Sequence, residues 1–204
     1  MGLTAAPGGF GTPPFGGKVM RVEGSTLVLE SEDAVASQTI TTVRAACEFF
    51  GHDYAVEWFT DFHDPLAPTN PDRLLDVDDE VARSLGQWFN YGYEVLERLR
   101  AHGIDEDEVS EVQLWPEHFD PACELGDAET GQRASFGASP GDADHPEPYL
   151  YVSPWDDIDR SDDYWNDVSF GGSSLSYSKL VKTGDPVDKG LDFMLRGYRL
   201  LHSS

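Results

Sequence analysis

The stretch WPEHFDPACELGD, Trp115 to Asp127, sets His118 among Glu117, Asp120 and Glu124, with aromatic and apolar residues between them. A histidine beside carboxylates at this spacing can do two kinds of chemistry. It can move a proton, with His118 as acid or base and Asp120 orienting its ring. It can also begin a metal site, because His118 and Asp120 supply two ligands of a two-His, one-carboxylate set and Glu124 extends the pattern to H-x-D-x-x-x-E. The remaining ligand would come from His145 or His63, and neither sits in a pattern that fixes its geometry. Metal and cofactor therefore stay open.

The element that must position these groups is a strand. Side chains alternate across a strand, so His118, Asp120, Ala122 and Glu124 share one face while Phe119, Pro121, Cys123 and Leu125 share the other. RASFGAS repeats the pattern: Arg133, Ser135, Gly137 and Ser139 oppose Ala134, Phe136 and Ala138. In PYLYVSPW, Tyr149, Tyr151 and Trp155 oppose Leu150 and Val152. Three such runs joined by GDAETG and PGDADHPE predict an antiparallel meander whose apolar face packs on helices. The other face collects His118 and Asp120 as catalytic candidates, and Glu124, Arg133, Ser135, Tyr149 and Tyr151 as ligand-binding candidates. Pro121 has no N–H for a sheet ladder and restricts its strand to an edge or a bulge.

Other motifs carry less. Gly137 to Gly141, GASPG, fits the G-x-S-x-G elbow of a serine hydrolase, but Pro140 lacks the N–H that the oxyanion hole would need. Asp61, His63 and Asp64, and Asp142, Asp144, His145 and Glu147, form two further His-carboxylate groups, and Asx-turns account for most of these acids. A calcium loop starting at Asp157 would need Gly at position six and Glu at position twelve, where the chain has Asp162 and Val168. No G-x-x-x-x-G-K-[ST] and no HExxH occurs.

The order LWPEHFD, FGASPGD, PEPYLYV resembles an uncharacterised bacterial family, a domain of unknown function carrying W-P-x-H-F-D, F-G-x-S-P-G-D and P-E-P-Y-x-Y-V. The resemblance covers residues 114 to 155 and implies no activity, cofactor or substrate. It marks the meander already reached from periodicity.

The rest of the chain reads as support. Residues 1 to 17, with six Gly and three Pro, predict a flexible tail, followed by a single α+β domain over 18–204. KVMRVEGSTLVLE predicts a hairpin about Gly24, and TITTVRAACEFFG a short helix capped by threonine and ended by Gly51. Residues 52–76 predict an irregular loop. Residues 77–101 predict a long amphipathic helix with Val81, Leu85, Trp88, Phe89, Val95, Leu96 and Leu99 on its stripe. SEVQLW predicts a strand, and PVDKGLDFMLRGYRLL a closing helix that starts near Pro186. The fold class expected is α+β: an antiparallel sheet with a C-terminal-half meander packed on about three helices.

With 38 acidic and 14 basic residues, a net charge of -24, the chain has the wrong field for nucleic acid or an anionic membrane. No stretch approaches 18 apolar residues, and the N-terminus lacks a secretory pattern, so a cytoplasmic location is expected. Two distant cysteines, Cys47 and Cys123, predict buried reduced thiols. The functional expectation is a polar or cationic small molecule bound on the meander face, with catalysis by His118 and Asp120 an open extension. The alternative is a non-catalytic acidic protein engaging a basic partner.

Overall fold

A computed structural model describes residues 4–6, 8–59, 69–104, 106–115, 118–182 and 184–203. The chain forms two compact units: Met1–Gln87 with Pro116–His118, and Trp88–Trp115 with Phe119–Ser204. The division falls inside one long helix. The class is α+β, with two antiparallel sheets.

The first unit holds strands β1 (Thr4–Ala6), β2 (Gly9–Gly11), β3 (Lys18–Glu23), β4 (Thr26–Ser31) and β5 (Val35–Thr39), paired in chain order. The hairpin read from the sequence forms: Glu23 pairs with Thr26, and Gly24 turns the chain at φ 55°. The expected N-terminal tail is corrected, since Gly9 and Gly11 pair with Glu23 and Arg21. Glycine is what admits this segment to the sheet. A Cβ on Gly9 would stand 2.2 Å from the Val22 carbonyl oxygen, and one on Gly86 would stand 1.8 Å from the Gly9 carbonyl oxygen. Composition signalled entropy; the sheet uses the missing side chains for close approach. After β5, α1 (Val43–Phe49) begins at Thr42, whose hydroxyl accepts the Ala45 N–H at 3.1 Å.

α2 (Asp79–Arg100) follows, with Asp79 and Glu80 in its first turn and Arg98 and Arg100 in its last, as its dipole favours. Its predicted stripe is buried from Trp88 through Leu99, whereas Val81 is 57% exposed and lies outside it.

The second unit holds the meander, lengthened by a strand at each side: β6 (Gln113–Trp115), β7 (Asp120–Leu125), β8 (Ala134–Ser139), β9 (Tyr149–Pro154) and β10 (Ser173–Ser176), paired in chain order. α3 (Tyr177–Leu180) and α4 (Pro186–Leu201) complete it, and Asp185 caps α4 by accepting the Val187 N–H at 2.8 Å. The register aligns Cys123, Phe136 and Val152 across β7, β8 and β9, and sets Ala138 beside Leu150. These side chains are almost completely buried, as are Phe89, Val95, Leu96 and Leu99 of α2 and Met194 of α4. Gly92 brings α2 so close that a Cβ there would meet Ala138 at 2.7 Å. The Trp88 indole N–H donates to the Ala138 carbonyl at 3.0 Å, which satisfies the one polar atom of a buried ring. The helices thus cover the apolar face and leave the polar face to loops.

Two details of β7 differ from expectation. Pro121 lies in an inner strand, between β6 and β8, rather than at an edge. Pro121 pairs with Leu114 of β6, while pairing with β8 begins at Ala122, so on the β8 side no ladder donor is needed from Pro121. The strand also starts at Asp120, not His118. Phe119 takes φ 54°, and its N–H donates to the Trp115 carbonyl at 2.7 Å as the chain turns from β6 into β7.

Candidate functional site

The predicted face exists, but its members form two groups. Ala122, Gly137 and Tyr151 align across β7, β8 and β9, and Glu124, Ser135 and Ser153 align two residues further along. Asp120 and Glu124 are four residues apart on one strand, a separation of about 13 Å. Asp120, Tyr149, Tyr151 and Ser139 therefore gather at one end of the sheet, and Glu124, Arg133 and Ser135 at the other.

The Arg133 group is built around a buried guanidinium. Its guanidinium donates to Glu124 and Glu108 carboxylates at 2.8 Å each and to the Gly126 carbonyl at 3.2 Å. Trp155 lies over the guanidinium, 4.8 Å from ring centroid to Cζ, and its indole N–H donates to the Ser135 hydroxyl at 3.1 Å. With Arg133 only 6% exposed, the arrangement is a buried, neutralised charge. Glu124 and Ser135, the ligand-binding candidates beside Arg133, are half-buried, and the Arg133 Nε is buried without a hydrogen-bond partner.

The Asp120 group is different. Asp120, 2% exposed, accepts the Tyr151 hydroxyl at 2.6 Å. The Tyr151 ring crosses Gly137, where an added Cβ would stand 2.3 Å from Cζ; glycine is required at that position for the ring to lie there. Burial first, and then the charge and hydrogen bond of Asp120, push the Tyr151 phenol well above its ordinary range and keep it a donor. Tyr149 donates to Asp142 at 2.6 Å, and its phenol is likewise raised by burial and by that carboxylate. Phe170 completes the ring set, 6.1 Å from Tyr151 and 6.2 Å from His145.

His145, a candidate metal ligand in the sequence, is the best-connected histidine of this end among the described residues. Asp142 does form the Asx-turn, accepting the Asp144 and His145 N–H groups at 2.8 Å. The His145 ring also lies 3.2 Å by Nδ1 from Asp142 and 2.7 Å by Nε2 from Asp167, and stacks on Tyr149 with centroids 4.3 Å apart. No sequence signal joins His145 to Asp167, which arrives from a separate loop before β10. Burial opposes charge on His145, but the hydrogen bonds and charges of Asp167 and Asp142 outweigh it, and the pKa is raised. Ser139 is turned inward, its hydroxyl accepting the Gly141 N–H at 3.2 Å, as a turn residue does.

His118 is exposed, whereas Asp120 is buried at the start of β7. Asp61, His63 and Asp64 lie outside the described residues. Among the described residues, no group of three or more His, Cys, Asp or Glu side chains could hold a metal ion. Cys123 is buried, which pushes its thiol up to about 12, and both cysteines are free. No helix among the described residues is long and apolar enough to cross a membrane.

Neither a family model, nor a curated protein, nor a solved structure matches this chain. The site must be interpreted from its own chemistry.

Proposed function

We propose that this protein binds a cationic small molecule at the Asp120 end of the second sheet, without catalysing a reaction through His118. The observation that carries the reading is the Asp120–Tyr151 pair, a buried carboxyl group held at 2.6 Å by a phenol on a face ringed with Tyr149, Phe170 and His145. Carboxylates supply charge complementarity for a cation, and aromatic faces add an attraction worth about 0.5–2 kcal/mol each. Phe119, next to Asp120, supports it: a bulky residue at φ 54° costs about 1–2 kcal/mol, and such strain concentrates at binding sites. The overall charge of -24 would raise the local concentration of cations before contact. Two free thiols suit a reducing, cytoplasmic setting.

The test is thermal stabilisation by a panel of primary amines, guanidines and quaternary ammonium ions, each against sodium chloride of equal ionic strength. At least one class should raise the melting temperature of the wild type, and Asp120→Asn and Tyr151→Phe should lose the rise. Arg133→Met, at the opposite end of the sheet, should keep it. If every cation acts no more strongly than sodium, the reading fails.

A further inference from the structure

The geometry points to a proton-dependent latch: His145 fastens the loop between β8 and β9 to the turn over residues 167–172, and the turn loosens when His145 loses its proton. Both ring nitrogens face carboxylate oxygens, Asp142 at 3.2 Å and Asp167 at 2.7 Å. Carboxylate oxygens accept and do not donate, so both bonds form only when the ring carries two protons. A neutral imidazole would turn a lone pair toward one carboxylate and lose that attachment.

The β8–β9 loop is also tied to the chain beyond the turn, where Ser178 donates to Glu147 and the Tyr177 N–H to the Pro148 carbonyl. Asp142 is additionally held by the Tyr149 hydroxyl at 2.6 Å and by its own turn. Asp167 accepts from the Ser169 hydroxyl at 2.6 Å, the Ser169 N–H at 3.1 Å and the Ser174 hydroxyl, and its own N–H donates to the Gly172 carbonyl at 3.0 Å. These bonds shape the turn but do not fix it to the β8–β9 loop; His145 does. The titratable and charged groups facing the ring are Asp142 on its own loop, Tyr149 on β9 and Asp167 on the turn, while Arg160 lies against Gly171 at the far side of that turn. Asp144 is exposed, and Glu147 is engaged by Ser178 at 2.8 Å.

The sign follows from linkage. A histidine whose folded pKa is raised stabilises fully below its unfolded value, about 6.5, and the stabilisation is lost as pH rises through the folded value. The turn carries Phe170, which packs at 6.1 Å on Tyr151, so its release uncovers the polar face. The latch itself does not require that a ligand bind there.

Two measurements on the intact chain test it. In proton NMR, the His145 ring resonance, assigned by its disappearance in His145→Gln, should titrate above the ordinary histidine value. Amide protection of Asp167 and Ser169, corrected for intrinsic exchange, should fall across that titration. His145→Gln, which keeps a polar side chain without a titrating group, should show the lower protection at every pH. A His145 pKa at or below the ordinary value overturns the proposal. So does protection at Asp167 and Ser169 that stays flat through the titration.

Discussion

Gly137→Ala measures how firmly the Tyr151 ring is held. An added methyl would stand 2.3 Å from Tyr151 Cζ and 2.4 Å from the hydroxyl oxygen, so the ring must move. The atoms in the way are the far end of a side chain, not backbone, and the ring can swing aside. The cost is what the swing breaks: the 2.6 Å bond to Asp120. A hydrogen bond to a carboxylate contributes about 1.5–3 kcal/mol. Against this, alanine for glycine at a φ that alanine tolerates returns about 0.4–1 kcal/mol through the unfolded chain, and Gly137 is not among the positive-φ glycines. The net destabilisation expected is about 1–2 kcal/mol. In a Tyr151→Phe background the bond is already absent, and the same methyl displaces only packing. Gly137→Ala then becomes nearly neutral, giving a coupling of about 1–2 kcal/mol in the double-mutant cycle. Urea denaturation followed by tryptophan fluorescence yields all four stabilities. A coupling below about 0.5 kcal/mol, the ordinary error of additivity, would mean that the ring is not held over Gly137 by Asp120.

Three further outcomes are expected. Arg133→Ala should destabilise by about 3 kcal/mol in the same denaturation assay, because Glu124 is left without its partner; its partial exposure places the loss at the low end of the range for broken buried pairs. Phe136→Ala, emptying a fully buried ring site, should cost about 3–5 kcal/mol, with loss of the cooperative transition as a further sign of core disruption. Raising sodium chloride from about 0.01 M to about 1 M should increase the melting temperature, since the screening length falls from about 30 to about 3 Å and relieves repulsion among uncompensated acids; an unchanged value in calorimetry would contradict this.

Much of the second unit was legible in the chain. Alternation in Pro121–Leu125, Ala134–Ser139 and Tyr149–Val152 carries its own facing information, because a strand puts every second residue on the same side whatever it pairs with. The same holds for α2 and α4, whose apolar stripes and capping residues are local properties. Position 119 was not legible. A phenylalanine gives no signal that its backbone will take φ 54°, and the strand therefore starts at Asp120 rather than at His118. The N-terminal glycines misled for a related reason: their composition reports the entropy of the free segment, not the close backbone approach that Gly9 makes to Val22.

The candidate site divides along the same line. By itself the sequence determined which side chains share the polar face, for that depends only on strand period. Tertiary structure alone decided which of them meet. The register put Glu124 beside Ser135 and Tyr151 over Gly137, sending Arg133 and Asp120 to opposite ends of the sheet. It also brought Asp167 to His145 across 22 residues of chain, where no local preference acts. A hydrogen bond between distant residues is fixed by the path of the backbone between them, and that path is set by the packing of the whole unit rather than by either residue's neighbours.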